Sequence, residues 1–148
     1  MASTARGICG ISLGSSKKRF LETLPSNIDW VEDGMALKRS VANLENLSSG
    51  KASRFDEKLD LATGTPFQKK VWNTIAKIPW GETISYAELA KRVGKPSAFR
   101  AVANACGANP IPIIIPCHRV IASDGTIGGF SGGLKIKRKL LALEGVLK

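Results

Sequence analysis

From residue 65 onward the apolar positions recur at helical spacing. Phe67, Val71, Ile75 and Ile78 mark one face. Thr65-Pro66-Phe67-Gln68 is a capping box with proline at the first helical position, and Pro79 ends the run. Ser85-Tyr86-Ala87-Glu88 predicts a second capping box, opening a helix that turns Leu89, Ala90 and Val93 inward until Gly94-Lys95-Pro96 breaks it. Ser97 predicts the cap of a third helix over residues 98–107, built mostly from small residues. Two short helices joined by a tight glycine-containing turn read as a helix-turn-helix, with the second as the recognition helix. Tight helix–helix packing is the alternative use of those small residues. Ile113-Ile114-Ile115 predicts a buried strand that Pro116 ends, leaving Cys117 just beyond it. A last helix covers residues 134–143, with Gly145 as its stop, and its basic residues Lys135, Lys137, Arg138 and Lys139 read as a solvated face.

The first 64 residues pattern as a small α/β unit. Residues 7–13 alternate like a strand, with Ile11 and Leu13 on one side. Ser15 and Ser16 predict the cap of a helix carrying Phe20, Leu21 and Leu24, ended by Pro25. Residues 28–31 predict a second strand. Met35, Leu37, Val41, Leu44 and Leu47 fit an amphipathic helix that stops near Gly50. Residues 51–58 are polar and irregular, residues 59–62 predict a last short strand, and Thr63-Gly64 is the domain boundary. The organisation is then two domains, 1–64 and 65–148.

Charge divides the chain at the same place. The net charge of the 148 residues is +10. Residues 1–64 carry 9 basic and 8 acidic side chains, whereas residues 65–148 carry 13 and 4. A basic second half points to a polyanion, nucleic acid before membrane, because no basic amphipathic anchor is evident. The composition, 43% hydrophobic and 23% charged, excludes a disordered chain, a collagen and a coiled coil. No apolar run approaches the roughly 18 residues of a membrane span, and residues 1–16 lack a secretory signal pattern. Three cysteines, Cys9, Cys106 and Cys117, make no disulfide framework and suit a reducing compartment. One histidine and no CxxC pair leave a structural zinc almost without ligands, so neither metal nor cofactor is expected.

The chemistry concentrates in Pro116-Cys117-His118-Arg119-Val120. A thiol becomes a strong nucleophile when ionised, which needs a base or positive charge nearby. His118 is the only histidine in the chain. Adjacent residues of an extended strand face opposite ways, so a Cys117–His118 contact requires a turn or a bridging water. A chance Cys-His neighbourhood is the competing reading on physics alone.

This segment resembles the active-site motif of the O6-alkylguanine-DNA alkyltransferases, the methylated-DNA–protein-cysteine methyltransferases. Further matches are Phe67-Gln68-Lys69-Lys70-Val71-Trp72, Ile78-Pro79 with Gly81-Glu82-Thr83, Ser85-Tyr86, Arg100-Ala101-Val102, Asn109-Pro110, Ser131-Gly132-Gly133 and Leu143-Glu144-Gly145. The resemblance spans residues 65–146. It implies a mixed α/β fold: a small ribonuclease-H-like α/β domain, which begins after the family's usual first strand, and a mostly helical domain with a winged helix-turn-helix. It also implies direct reversal of O6-alkylguanine, and O4-alkylthymine, in duplex DNA by irreversible transfer of the alkyl group to Cys117. His118 would take the thiol proton through a water, Glu144 would orient His118, and Asn109 would brace the turn before the cysteine. Tyr86, Arg100, Val120 and Ser131 would handle the flipped base. Ser85, Ser97, Ala98, Ala101, Asn104 and Arg119 would join Arg100 on the DNA. Phe130 stands where many members carry tyrosine, and the zinc ligands of some members have no counterpart. The implied protein is a monomer acting on double-stranded DNA, cytoplasmic in a bacterium or archaeon and nuclear in a eukaryote. The rivals are a non-catalytic lesion sensor, which Cys117 argues against, and a Cys-His hydrolase, which leaves the basic helix-turn-helix unexplained.

Overall fold

Two strands that the sequence pattern only half announces open the chain. In the computed structural model, which describes residues 1–51 and 55–147, β1 (Ala2–Thr4) pairs antiparallel with β2 (Gly7–Gly10). The Thr4 hydroxyl accepts from the Arg6 N–H and donates to Asp60, which holds the hairpin turn. The expected strand over residues 7–13 is therefore shorter, and a preceding strand exists. Ser16 caps α1 (Lys17–Leu21) by accepting from the Arg19 N–H. Residues 28–31 form no strand, because Trp30 Nε1 donates back to the Pro25 carbonyl and Val31 stands 85% exposed. Next comes α2 (Lys38–Ser48). Of the irregular stretch expected over residues 51–58, residues 52–54 lie outside the described ones. The strand expected over residues 59–62 reduces to a single parallel bridge between Ile8 and Leu59.

The expected boundary coincides with a close approach. Gly64 is buried, and a Cβ there would stand 2.3 Å from Trp72 Cζ3. α3 (Pro66–Ile75) follows with its complete Thr65/Gln68 capping box. β3 (Ile84–Ser85) leads into α4 (Tyr86–Arg92). Ser85 accepts from the Glu88 N–H, but the Glu88 carboxylate turns to Arg92 Nε instead of closing the box. Gly94, at φ 75°, ends α4 in the left-handed conformation that glycine adopts most readily. α5 (Phe99–Gly107) has Ala98, not Ser97, at its N-cap, with no side-chain bond to the helix end. α6 (Leu134–Leu143) closes the fold.

The Ile113-Ile114-Ile115 strand does not form. The segment turns, with Ile115 N–H donating to the Ile111 carbonyl and Ile113 at φ 78°, a left-handed conformation costly for a β-branched residue. Ile111 and Ile115 are buried. A 3₁₀ turn (Cys117–Arg119) then carries the chain into β4 (Val120–Ile121), which pairs in parallel with β3.

One buried cluster crosses residue 65. Ile8 and Ile11 pack with Val71, Trp72, Ile75, Leu89, Val102, Ile115 and Cys117. Trp72 Nε1 donates to the Ala105 carbonyl at 2.7 Å, pinning α3 to α5. No helix among the described residues is long and apolar enough to cross a membrane.

Candidate active site

The 3₁₀ turn supplies the bend that neighbouring residues need to act together. Cys117 and His118 are both buried, and Cys117 lines a cavity of about 370 Å³ with Tyr86, Asn104, Gly107, Phe130 and Ser131. That volume lies within the range of small-molecule sites. Asn109 organises the approach. Its Nδ2 donates to the Ile115 carbonyl at 2.8 Å and to Cys117 Sγ at 3.1 Å, and its Oδ1 accepts from the Ile111 N–H at 3.0 Å. One buried amide thus holds both the turned isoleucine segment and the sulfur.

Glu144 is the hub of the polar cluster. His118 Nε2 lies 2.7 Å from Glu144 Oε1. Arg119 Nε and Nη2 donate to the same carboxylate at 2.8 and 2.9 Å, and the Gly81 N–H adds a contact at 3.2 Å. Burial alone would raise the Glu144 pKa; the hydrogen bonds and charges of His118 and Arg119 outweigh it and hold the carboxyl at about 2. An ionised carboxylate only accepts, so His118 Nε2 carries the proton. Burial lowers the His118 pKa below its ordinary value, against the pull of Glu144, and the ring rests neutral. Its Nδ1 is therefore a lone-pair acceptor, buried and without a hydrogen-bond partner among the described residues. Burial pushes the Cys117 thiol up, with Asn109 and Lys137 opposing. The resting pair is a thiol and a neutral imidazole.

Two residues stand differently from their sequence reading. Arg119 points inward rather than to a DNA phosphate: its side chain is 12% exposed, clamps Glu144, donates Nη1 to the Ile78 carbonyl at 2.6 Å and lies over the Trp80 ring. Lys137 is not part of a solvated face. It is fully buried, with Nζ donating to the carbonyls of Val120 at 2.6 Å and Gly129 at 3.1 Å. Burial lowers its pKa to about 8. Lys137 thereby joins β4 to the 129–131 segment that lines the cavity. Its signal in the sequence is its spacing from Leu134, Leu140 and Leu141, which places it on the apolar face of α6.

The other predicted residues fall around this centre. Tyr86 is half-buried, its pKa pushed up to about 12 by burial, with its hydroxyl 3.4 Å from the Gly129 carbonyl. Ser131, Arg100, Ala101, Asn104 and Ser97 are exposed, whereas Ser85 and Ala98 are half-buried and Val120 is buried. A larger groove of about 990 Å³ lies between the N-terminal hairpin, α1 and the 107–112 segment. Its cysteine, Cys9, is pushed up by burial and by the charge of Asp60, against its backbone hydrogen bond and the N-terminal ammonium. Among the described residues no group of three His, Cys, Asp or Glu side chains could hold a metal ion.

A buried thiol, a neutral histidine aimed by an ionised carboxylate and a small adjoining cavity define a protein built to accept a group on sulfur. Residues 66–146 match the 6-O-methylguanine DNA methyltransferase DNA-binding domain. The chain is 45% identical over 144 residues to the methylated-DNA–protein-cysteine methyltransferase of Methanosarcina barkeri, covering 97% of this chain and 88% of the relative. The structure of Mycobacterium tuberculosis OGT in complex with DNA is similar at TM-score 0.77 and 47% identity, over 82% of this chain and 74% of that one. The O6-methylguanine-DNA methyltransferase of Pyrococcus kodakaraensis is similar at TM-score 0.56 and 31% identity, over 78% and 82%. The chain belongs to the methylated-DNA–protein-cysteine methyltransferase family.

Proposed function

We propose that this protein repairs O6-alkylguanine, and O4-alkylthymine, in duplex DNA by moving the alkyl group once and irreversibly to Cys117. The observation that carries the reading is Cys117 on the cavity wall, followed directly by a neutral His118 whose Nε2–H is committed to Glu144. His118 Nδ1 takes the thiol proton through one water. The sulfur attacks the alkyl carbon in line, a C–S bond forms and the C–O6 bond breaks. Glu144 stabilises the imidazolium formed in passing. In sum the thiol proton replaces the alkyl group on guanine, and the step balances without metal or cofactor. The raised Tyr86 pKa keeps that residue a phenol, able to donate to the leaving base.

A base inside a duplex is out of reach until it is extruded. In this reading α4, the Gly94 turn and α5 are a winged helix-turn-helix within a DNA-binding unit of residues 65–148. α5 enters the minor groove, Arg100 fills the vacated place in the stack and Ser131 meets the guanine O6. Backbone groups of Cys117 and Val120 hold the base edge, while Ser85, Ser97, Ala98, Ala101 and Asn104 face the DNA. Support comes from the exposure of Arg100, Ala101 and Asn104 along one helix and from the 13 basic against 4 acidic residues of this half. Residues 1–64, with their short hairpin and two helices, are a reduced ribonuclease-H-like unit, and the protein acts as a monomer.

The test is intact-protein mass after incubation with a duplex containing O6-methylguanine. The wild type gains one methyl group, mapped to Cys117, and Cys117→Ser gains none while still binding the duplex. An adduct on Cys9 or Cys106 overturns the assignment.

A further inference from the structure

Phe99 has no part in the chemistry above, yet it is 49% exposed and the one aromatic side chain left exposed among the described residues. It opens α5, a helix whose buried contacts come from Val102, Ala105 and Cys106, so the fold does not need the ring. The same helix turns Ala103, Asn104 and Gly107 to the cavity on which Cys117 lies. Phe99 stands one helical turn before Ala103, and Arg100 one turn before Asn104. The two residues therefore flank the N-terminal end of the stripe that faces the cavity.

The pair is also assembled in advance. Neighbours in sequence on a helix do not normally face one another. Here the Arg100 guanidinium carbon nevertheless lies 5.9 Å from the Phe99 ring centroid, within cation–π reach. The cation is folded back over the aromatic, giving a single unit with an apolar face and a charged edge. Proteins that work from the minor groove drive apolar side chains between base steps, and aromatic rings stack on bases of any sequence.

We propose that Phe99 is a second wedge residue: its ring stacks on the base beside the place the damaged nucleotide leaves, while Arg100 occupies that place. The proposal rests on the base-extruding reading of the site. Its ligand is the face of a nucleobase and not a phosphate, so the Phe99 contribution is insensitive to salt.

The experiment measures single-turnover alkyl transfer by the full-length wild type, Phe99→Ala and Phe99→Trp, from an O6-methylguanine duplex and from free O6-benzylguanine. The rate on the duplex divided by the rate on the free base falls about tenfold in Phe99→Ala, the scale of losing one base-stacking aromatic. Phe99→Trp recovers it. The salt slope of duplex binding is the same in all three, because no phosphate contact is removed. A ratio in Phe99→Ala within twofold of wild type overturns the wedge, as does a slope that drops with the ring. If the wild type takes an alkyl group from neither substrate, the alkyl-transfer reading falls and the wedge with it. If it reacts with both and only the ratio fails to move, the wedge alone falls.

Discussion

Glu144→Gln removes one charge from the centre of the polar cluster and keeps its shape. The wild-type carboxylate is 1% exposed, accepts from His118, Arg119 and Gly81, and has its pKa held at about 2 instead of 4.5. At about 1.36 kcal/mol per pH unit, that difference contributes about 3 kcal/mol to folding. The sign follows from a depressed folded-state pKa. The contribution is complete above pH 4.5 and is lost as the pH falls from there through about 2. His118 acts in the same direction from a higher starting point. Its folded pKa is also lowered, so the unfolded chain binds that proton first below pH 6.5 and stability declines with acid. Glutamine retains an oxygen for the His118 N–H but leaves Arg119 facing an uncharged amide. We expect Glu144→Gln to be about 3 kcal/mol less stable at pH 7, the scale for breaking a buried ion pair. The loss that His118 causes below pH 6.5 should persist in the variant, while the Glu144 part of the further loss below pH 4.5 should disappear. The two stability curves then converge in acid. Urea titrations at pH 7, 5.5, 4 and 3 read this directly. Single-turnover transfer at pH 7 should slow at least tenfold, because the imidazolium loses its counter-charge. Parallel stability curves from pH 7 to 3 would refute the ionised hub, whatever the rate does.

Three further outcomes follow from the same geometry. Asn109→Ala strips the Ile111 N–H and Cys117 Sγ of their partner and leaves the Ile115 carbonyl with only the Cys117 N–H, so a denaturant melt should show a loss of about 2–3 kcal/mol, with slower transfer from a less acidic thiol; an unchanged melt would free the turn from Asn109. Lys137→Met should remove a contribution to stability that grows by about 3 kcal/mol between pH 8 and 10.5, the window in which the unfolded chain still binds the proton that the buried lysine has released; subtracting the two pH–stability curves exposes it, and a flat difference would place the ammonium in water. Duplex affinity should fall linearly with salt on logarithmic axes, and a flat response would detach the basic half from DNA.

What the residue pattern reveals is what neighbours in the chain decide. Thr65, Pro66 and Gln68 form their capping box because all its partners lie within one turn, and the same holds for Ser16 and Ser85 at their N-caps. Pairings that close over long loops leave no such trace. β3 and β4 have two residues each and meet across some 35 positions, too short for alternation to mark them. Arg119 and Glu144 are 25 apart, and a lone arginine after a cysteine motif reads as surface charge until its carboxylate is seen. The isoleucine run failed for another reason. Buried apolar residues do not distinguish a strand from a turn, but Pro110, Pro112 and Pro116 remove ladder donors around it and argue against a strand. β1 is Ala-Ser-Thr, and two of its three residues have little strand preference. The candidate centre was legible as a set of residues; the inward turn of Arg119 and the burial of Lys137 belong to the packing.

Thiol acidity does not single out Cys117. Burial pushes all three cysteines above the ordinary range, Cys106 to about 12. A permanent thiolate–imidazolium pair would react faster, but it would also present a standing nucleophile to every oxidant and electrophile. In the proposed single-use reaction, each such encounter removes one protein molecule. The resting arrangement avoids this, because the proton stays on sulfur and His118 stays neutral. The surroundings of the sulfur supply the difference when the reaction begins. Cys117 alone of the three has the Asn109 amide donating to its sulfur and His118 next in the chain, and it shares with Cys106 the nearby Lys137 charge that favours the thiolate. These groups stabilise negative charge on sulfur without creating it at rest. Proton transfer and attack therefore proceed together only when an alkyl carbon is in line, so the depth of the cysteine is a condition of its selectivity.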